Sequence, residues 1–411
     1  MPNRKYLRSL FCLMIGLPAY LGAQGDLSRG ERLYDLKCGR CHMAYAPQKY
    51  SVEEWRTVMK EMGPLSGLTE ESELPVMAYL EQNAGKRKLG DLPTNPVLGG
   101  YLYTEFFASK ASTDTFDIHY LNVNLAGRVH ERISYRAEFE FEHGGGDAEP
   151  PFIEQAYMDV WFQKNMALRI GAVIAPFNRF DDFHAPLENM LITRPQMSRE
   201  ISVSAWKEVG VVFHGNLSVN PSAYLNYDLY LINGLGSGGR LRSSRQYRDN
   251  NDAKSLGFRL SGVFHDRFEV GGSFYHGAWD DGSKHNLDMF GLHLLGRTGD
   301  LSLYGEFSKA LSGNPDPYET GKTEGYFIQG SYLIRRHFRP SVRFGSLDYL
   351  DLSDALGRKP TDFDRKILAL GFNYYLTPSV VFKVEYDLYF PGSRESDANK
   401  DLLALQAAVR F

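Results

Sequence analysis

The feature that most constrains the fold is an alternation of apolar and charged residues that recurs from residue 97 to the end of the chain. In Ile133–Phe141, apolar side chains alternate with Ser, Arg and Glu, and Val380–Phe390 and Leu403–Phe411 repeat this pattern. Residues two apart share one face of a β-strand. Each segment is therefore predicted to be a strand with one apolar and one polar face.

Two further features favour a membrane barrel over a soluble sandwich. The chain ends in Phe411, at the end of an apolar strand. Short connections also alternate with long polar ones, as periplasmic turns and outer loops do in outer-membrane barrels. The short links are Arg128–Arg132, Gln163–Asn165, His265–Arg267, Arg297–Asp300, Arg335–His337 and Thr377–Pro378; the long ones are Gly144–Pro151, Pro176–Lys207, Gly234–Lys254, Ser312–Lys322, Asp351–Asp364 and Pro391–Lys400.

The spacing of these segments predicts about sixteen antiparallel strands in residues 97–411. The 25 Tyr and 26 Phe occur without long apolar runs, which suits alternating strands better than membrane helices. Sixteen strands leave an aqueous channel, and an even number places both barrel ends in the periplasm. The predicted location is the bacterial outer membrane, with its lipid as a partner.

The first 23 residues have the pattern of a secretory signal peptide. Arg4, Lys5 and Arg8 precede an apolar stretch, Leu10–Leu21, that is too short to span a bilayer. We predict cleavage after Ala23. A membrane anchor is the alternative.

Residues 38–42 contain the most specific chemical motif of the chain. Cys38, Cys41 and His42 form the Cys-x-x-Cys-His pattern of covalent haem attachment. The two thiols would each bind one vinyl group of the porphyrin, and the imidazole of His42 would be the proximal iron ligand. The alternatives are a disulfide or a redox-active Cys-x-x-Cys, but the βαβ pattern typical of the latter does not surround the motif.

The flanks predict a small helical domain over residues 24–88. Leu27–Leu36 is a helical stretch, Ser51 and Glu54 form a capping box for a second helix that ends at Gly63–Pro64, and Thr69 or Ser72 caps a third. With the Trp55–Met62 spacing and the Ala78–Leu80 helix, this segment resembles monohaem cytochrome c domains. The resemblance implies one covalent haem c.

The distal iron ligand is less sharply defined than the proximal one. Met62 lies seven residues after Trp55, where the resemblance places a thioether ligand. Met59 and Met77 are the alternatives, and each could equally be core filler. His130 is a distant candidate.

A polar linker, residues 89–96, leads into the barrel, which resembles the phosphate-selective porin family. The resemblance is carried by residues 140–146, 153–157, 194–195, 206–210 and 232–235. It implies that Pro176–Lys207 includes a loop that folds into the lumen. Arg179, Arg194, Arg199 and Lys207 are then candidates for an anion-attracting constriction, and their alternative role is as solvated loop charges.

The predicted fold class is a small all-α cytochrome c domain followed by an all-β antiparallel transmembrane barrel of about 16 strands. This architecture resembles the fused cytochrome–porin proteins of iron-oxidising bacteria. The resemblance implies a haem-c electron-transfer protein that moves electrons between the periplasm and the exterior. Its implied partners are periplasmic c-type cytochromes or other electron carriers and an extracellular donor or acceptor, with iron as one candidate.

Two alternatives stay open. One is an anion-type diffusion porin with a cytochrome c appendage that senses redox state or plugs the pore. The other is an oxidoreductase acting on a small substrate, but no substrate-activating residues are visible, so an electron carrier fits better than an enzyme. The near-balanced net charge of −4 does not favour nucleic acid as a partner. Monomer and trimer both remain open.

Overall fold

A computed structural model of the chain describes its N-terminal part in pieces and its C-terminal part almost completely. The described residues are 29–34, 37–38, 47, 50, 52–66, 68–84, 97–130, 132–144, 152–163, 165–220, 222–265, 267–335, 337–353, 359–394 and 400–411. The predicted signal peptide, the predicted linker, Ser51, Cys41 and His42 lie outside them. The chain divides into two compact units, which meet in sequence near Leu92.

The described residues of the first unit include three helical segments. Residues 29–34 are helical, followed by α1 (Val52–Leu65) and α2 (Glu70–Asn83). The prediction that α1 ends at Gly63–Pro64 is wrong, because the helix continues through both residues to Leu65. A proline in the last turn removes only one backbone donor, so the turn can still close.

The N-terminus of α2 is fixed by a reciprocal capping box. The backbone N–H of Ser72 donates to Oγ1 of Thr69 at 3.2 Å, and the N–H of Thr69 donates to Oγ of Ser72 at 2.8 Å. Thr69 is therefore the N-cap, and Ser72 is its partner three residues on. Of the two caps that the sequence allows, the structure has Thr69.

An apolar cluster joins the helices of the first unit. Its centre is Trp55, whose ring meets the rings of Tyr34 and Tyr50 edge to face at centroid distances of 5.7 and 4.9 Å. Trp55 Nε1 donates to the carbonyl oxygen of Pro47 at 2.6 Å, which satisfies its polar atom within the core. The other buried members are Leu33, Met59, Leu68, Val76 and Leu80.

The second unit is a closed antiparallel barrel of sixteen strands, as the sequence predicts. Each strand pairs with the next, and β1 pairs with β16 from Tyr101–Arg410 to Ser109–Leu402. The strands are β1 (Val97–Ser109), β2 (Ser112–His130), β3 (Ile133–Glu142), β4 (Phe152–Gln163), β5 (Met166–Ile174), β6 (Lys207–Asn220), β7 (Ala223–Ile232), β8 (Ser255–Phe264), β9 (Phe268–Ala278), β10 (Asn286–Thr298), β11 (Leu301–Ser312), β12 (Gly321–Tyr332), β13 (Phe338–Leu350), β14 (Asp362–Thr377), β15 (Val380–Pro391) and β16 (Leu402–Arg410).

The predicted alternation of short and long connections is also present. The six predicted short links join paired strands at one end of the barrel, and the six long ones lie at the other end. The link between β1 and β2 is an exception, because only two residues separate Ser109 from Ser112 at the long-loop end. Short segments inside the long loops are 3₁₀ helices Phe180–Phe183 and Leu241–Ser243 and helix α3 (Gln196–Glu200).

The barrel carries apolar side chains on its outside and polar ones inside. On β8, Leu256, Phe258 and Leu260 are 49%, 37% and 39% exposed, whereas Ser255 and Ser261, on the other face, are buried. Exposed Leu, Phe, Val and Tyr recur in this way around the strands. A continuous apolar band of this kind would aggregate in water and is the surface of a barrel that faces lipid.

Among the helices of the described residues, none combines the length and the apolar character that a membrane span requires.

Candidate functional site

The described part of the haem motif lies beside the core of the first unit. Cys38 is half-buried and packs against the apolar cluster around Trp55. A thiol at the edge of an aromatic and aliphatic core fits attachment to a porphyrin, which is itself a large apolar surface. The residues present thus fit a haem c, for which Cys38 and Cys41 would be the attachment points and His42 the proximal ligand.

The three candidate methionines differ in burial. Met59 is buried in the apolar cluster, whereas Met62 and Met77 are half-buried. Met59 packs there with the other buried apolar side chains of the cluster. Met59 is therefore already used in packing, while Met62 is only half-buried. Met62 as the distal ligand stays a prediction.

The segment between β5 and β6, residues 175–206, lies inside the barrel, as the sequence predicts. At its start, the N–H of Asn178 donates to Ser273 Oγ on β9 at 2.9 Å, and Asn178 Nδ2 donates to Ser308 Oγ on β11 at 2.7 Å. Farther on, Lys383 Nζ on β15 donates to the carbonyl of Asn189 at 2.8 Å. The lumen loop, residues 175–206, thus makes contact with the barrel wall at widely separated strands.

Two buried carboxylates of the wall hold the lumen loop. Glu306 of β11 accepts the N–H groups of Arg179 and Phe180 at 2.7 and 2.8 Å. Glu385 of β15 accepts the N–H and the hydroxyl of Thr193 at 3.1 and 2.6 Å. Backbone donors that would otherwise be orphaned inside the barrel are satisfied in this way.

Arg343 of β13 completes the anchor at Thr193. Its guanidinium donates to the carbonyl oxygen and the hydroxyl of Thr193 at 2.8 and 2.6 Å. An apolar cluster adds to these polar contacts, because Phe177, Met197 and Trp206 of the loop are buried with inward-facing residues of the strands.

Two of the four predicted constriction residues are held by carboxylates. Arg179 pairs with Asp182 and, at 2.9 Å, with Glu269 of β9. Lys207, the first residue of β6, places its Nζ 2.6 Å from Glu154 Oε2 and 3.6 Å from Glu140. These pairs neutralise much of both positive charges.

The other two predicted residues differ from each other in exposure. Arg194 is half-buried in the lumen loop, and Arg199 lies on α3 with half of its side chain exposed. Burial by itself lowers the pKa of the Arg194 guanidinium, but the nearby Tyr120, Tyr103 and carboxylates raise it above its ordinary value. Anion attraction at a constriction stays a prediction, and it depends chiefly on these two arginines.

The wall near Lys207 is richer in acids than the sequence analysis anticipated. Glu138 and Glu140 of β3 are both buried, and Asn122 Nδ2 donates to them at 2.8 and 3.2 Å. Arg136 also pairs with Glu138 at 2.9 Å. The sequence could have indicated this acidic face, because glutamates two residues apart on one strand must share a face.

Comparison with known proteins supports a cytochrome–porin architecture. A protein-family profile described as dihaem cytochrome c matches residues 34–134. The matched segment begins in the first unit and runs through β1 and β2, so it contains both the haem motif and strands of the barrel.

The sequence relatives are themselves described only as uncharacterized. One protein of Aquifex aeolicus (strain VF5) is 24% identical over 294 residues, which cover 62% of this chain and 66% of that protein. A second is 23% identical over 316 residues, with 68% of this chain and 73% of that protein covered. The alignment therefore leaves about a third of the first relative's length unmatched.

Solved structures that resemble the chain include outer-membrane proteins and a porin. An outer-membrane expressed OmpT of Vibrio cholerae has a TM-score of 0.55 at 11% identity, and the match covers 78% of this chain and 99% of that one. An anion-selective porin from Comamonas acidovorans has a TM-score of 0.57 at 10% identity, with 77% and 99% covered. At such low identity these matches establish a porin-like barrel fold.

Proposed function

We propose that this chain is a haem-c electron-transfer protein that connects the periplasm with the exterior across the outer membrane. The observation that carries the proposal is the presence, in one chain, of a Cys-x-x-Cys-His motif and a closed sixteen-strand barrel with an apolar exterior. A soluble cytochrome needs no barrel, and a diffusion porin needs no haem. Electron transfer across the membrane gives both parts a use.

We infer one covalent haem per chain. The 411 residues contain three cysteines, and Cys12 lies within the predicted signal peptide, which leaves one pair for attachment. The profile match names a dihaem family, but a second haem c would need a second pair of thiols. When bound, the haem supplies a one-electron iron couple, and the apolar cluster around Trp55 would exclude water from one side of it.

The topology supports a location of the cytochrome unit on the periplasmic side or within the lumen. The first strand begins at Val97 and the last ends at Arg410, both at the short-turn end of the barrel. Short turns face the periplasm in outer-membrane barrels. The proposed partners are accordingly periplasmic c-type cytochromes or other carriers inside, and a donor or acceptor outside, with iron as one candidate.

A vesicle experiment tests the proposal. The full protein is reconstituted with a trapped reductant, an impermeant acceptor is added outside, and haem absorbance is followed. We expect external reduction beyond the leakage that is measured separately, and loss of that reduction in the Cys38→Ala variant. A haem that cycles only with the inner reductant would contradict the proposal.

The second candidate function is a diffusion porin, of anion type, with the cytochrome as a redox sensor or plug. It is favoured by the lumen loop, residues 175–206, whose hydrogen bonds hold it across the barrel interior. This function predicts that Cys38→Ala conducts ions as well as the wild type does when the wild-type haem is held in one redox state. It also predicts that neither protein reduces the external acceptor through its haem.

A further inference from the structure

Four side chains of the types that ligate metals lie together on the barrel wall at β1–β3. They are Glu105 on β1, Asp117 and His119 on β2, and His143 just after β3. Carboxylate and imidazole groups are brought together here from three consecutive strands, although they are up to 38 residues apart in sequence (143 minus 105). Their arrangement has a local structural cause.

A register shift in β2 lies beside this group and changes which residues of β2 face Glu105. Tyr103 pairs with Tyr120, but Glu105, two residues on, pairs with Asp117, so β2 has one extra residue between these pairs. Such a bulge re-aims side chains relative to the regular alternation. Phe116 and Ile118 remain exposed on the outside, whereas His119 reaches both Glu105 and Asp117.

His143 reaches the same group through a turn. Its N–H donates to the carbonyl of His119 at 3.2 Å, and its backbone then enters the left-handed region at φ 49°. This conformation is uncommon for a residue with a side chain. It leaves the imidazole Nδ1 at 2.7 Å from Asp117 Oδ2.

The spacing of the donor atoms suits a small cation. His119 Nδ1 lies 2.9 Å from Glu105 Oε2 and 3.2 Å from Asp117 Oδ2. In a tetrahedral site with metal–ligand bonds of about 2.0–2.1 Å, neighbouring ligand atoms are about 3.3 Å apart. Asp117, His119 and His143 each have one ligand atom within 4.8 Å of the others, so side-chain adjustments of up to about 1.5 Å would close the three around a cation.

Neighbouring side chains orient the ligands. Glu105 Oε1 accepts a hydrogen bond from Gln406 Nε2 at 2.6 Å, which turns Oε2 towards His119. The His119 ring stacks on Tyr103, with a centroid distance of 5.3 Å and an interplanar angle of 18°. Partners that fix ligand orientation in this way are a regular part of metal sites.

A second cluster in the barrel lacks the same capacity. Glu140, Glu154 and His184 also bring three ligand atoms together, but the ammonium group of Lys207 lies 2.6 Å from Glu154. That cation already balances the carboxylates. Within the described residues, by contrast, the ion pairs of Glu105 and Asp117 are with histidines, which become metal ligands when neutral.

We propose that Asp117, His119 and His143, with Glu105 beside His119, form a binding site for a divalent transition-metal cation of the first row. Two imidazoles with carboxylates match the ligand preference of such ions better than that of Ca²⁺ or Mg²⁺, which favour oxygen alone. The side chains become more exposed from Glu105, at 3%, to His143, at 44%, so a cation has access from the His143 side.

The test uses Zn²⁺ as the probe and the full haem-containing protein, stripped with a chelator and freed of any histidine tag. Equilibrium dialysis with elemental analysis counts zinc separately from haem iron. We expect one saturable zinc per chain, its loss in the His119→Ala/His143→Ala double variant, and at least roughly tenfold weaker binding in His143→Ala or Asp117→Asn. X-ray absorption of the loaded protein should give a shell containing two imidazoles.

The matched control is His276→Ala. His276 is also a half-exposed barrel histidine, with Nδ1 2.7 Å from Asp288, but its cluster has a single imidazole. Its zinc affinity should equal that of the wild type. Equal zinc binding by the wild type and His143→Ala, or a zinc shell of oxygen atoms alone, would overturn the proposal; since His143 lies at the exposed edge, this variant decides the matter even where the double variant does not fold.

Discussion

Asp351 is a buried carboxyl group that ties down a long outer loop. It follows the last residue of β13 and accepts a hydrogen bond from the backbone N–H of Leu241 at 2.6 Å, and another from the hydroxyl of Tyr349. Leu241 is fully buried in the middle of the loop formed by residues 233–254. Burial raises the pKa of Asp351 to about 7, so its protonated form is favoured while the loop is closed.

A pH dependence of loop opening follows from this raised pKa. The closed loop is most stable below the ordinary aspartate pKa of about 4, and this stability is lost as the pH rises to about 7. Opening of residues 233–254 should increase by about tenfold per pH unit in that window and level off above it. Hydrogen exchange of these residues, corrected for intrinsic rates, measures the effect.

The Asp351→Asn variant is the control for that measurement. Its amide oxygen can still accept from Leu241, but the side chain does not ionise. We therefore expect a flat profile from pH 4 to 7. A variant whose profile follows that of the wild type would assign the dependence to another group.

At the scale of elements, the lumen loop depends on the carboxylates of the wall. Glu385 is buried and serves the backbone and hydroxyl of Thr193, with Arg343 beside it at 3.5 Å. Glutamine replaces one of the two carboxylate oxygens with an NH₂ group, which cannot accept a hydrogen bond from Thr193. The cost is on the order of 2–3 kcal/mol, because buried donors are left unsatisfied.

We predict that Glu385→Gln frees the middle of the lumen loop. Hydrogen exchange of residues 189–194 should become faster, and the ion conductance of the reconstituted barrel should rise or become noisier. Glu324→Gln is the matched control, since Glu324 lies on β12 with 37% of its side chain exposed and pairs with Lys309 and Lys322. Unchanged exchange in Glu385→Gln would mean that the apolar cluster alone holds the loop.

The sequence predicts those elements whose formation depends on interactions between residues close together in the chain. Strand alternation, turn residues and the Cys-x-x-Cys-His spacing depend on neighbours within a few residues. The partners of Arg179 and Lys207 were not readable, because Glu269 and Glu154 lie 90 and 53 residues away in sequence (269 minus 179, 207 minus 154). The bulge in β2 beside His119 and Glu105 was equally hidden, since an extra residue in one strand leaves no period of its own.

At the scale of the whole molecule, the barrel is closed by strands from opposite ends of its sequence. The N–H of Gly100 donates to the carbonyl of Phe411 at 3.0 Å, and the N–H of Phe411 donates back to Gly100 at 3.0 Å. Closure leaves no unpaired strand edge, which a lipid environment does not tolerate. The seam is the least local of the strand pairings, because it joins residues about 300 apart.

Gly100 is required at the seam by the closeness of its neighbours. A Cβ there would lie 2.1 Å from the carbonyl oxygen of Asn122 on β2 and 2.9 Å from the ring of Phe411. We predict that Gly100→Ala pushes the first strand away from its partners, at a cost of about 1–3 kcal/mol. The matched control is Gly272→Ala on β9, where the nearest atoms would be 3.6 Å away and nothing has to shift.

The folded fraction of each variant can be read from its mobility on unheated gels, where a closed barrel migrates differently from the unfolded chain. Gly100→Ala should give less closed barrel than the wild type after refolding in detergent, and Gly272→Ala should match the wild type. Equal yields for both variants would mean that β1 can shift without loss of closure. The seam would then tolerate a shift of β1. In that case, the outward apolar side chains of both strands would chiefly stabilise the pairing of residues 402–410 with β1.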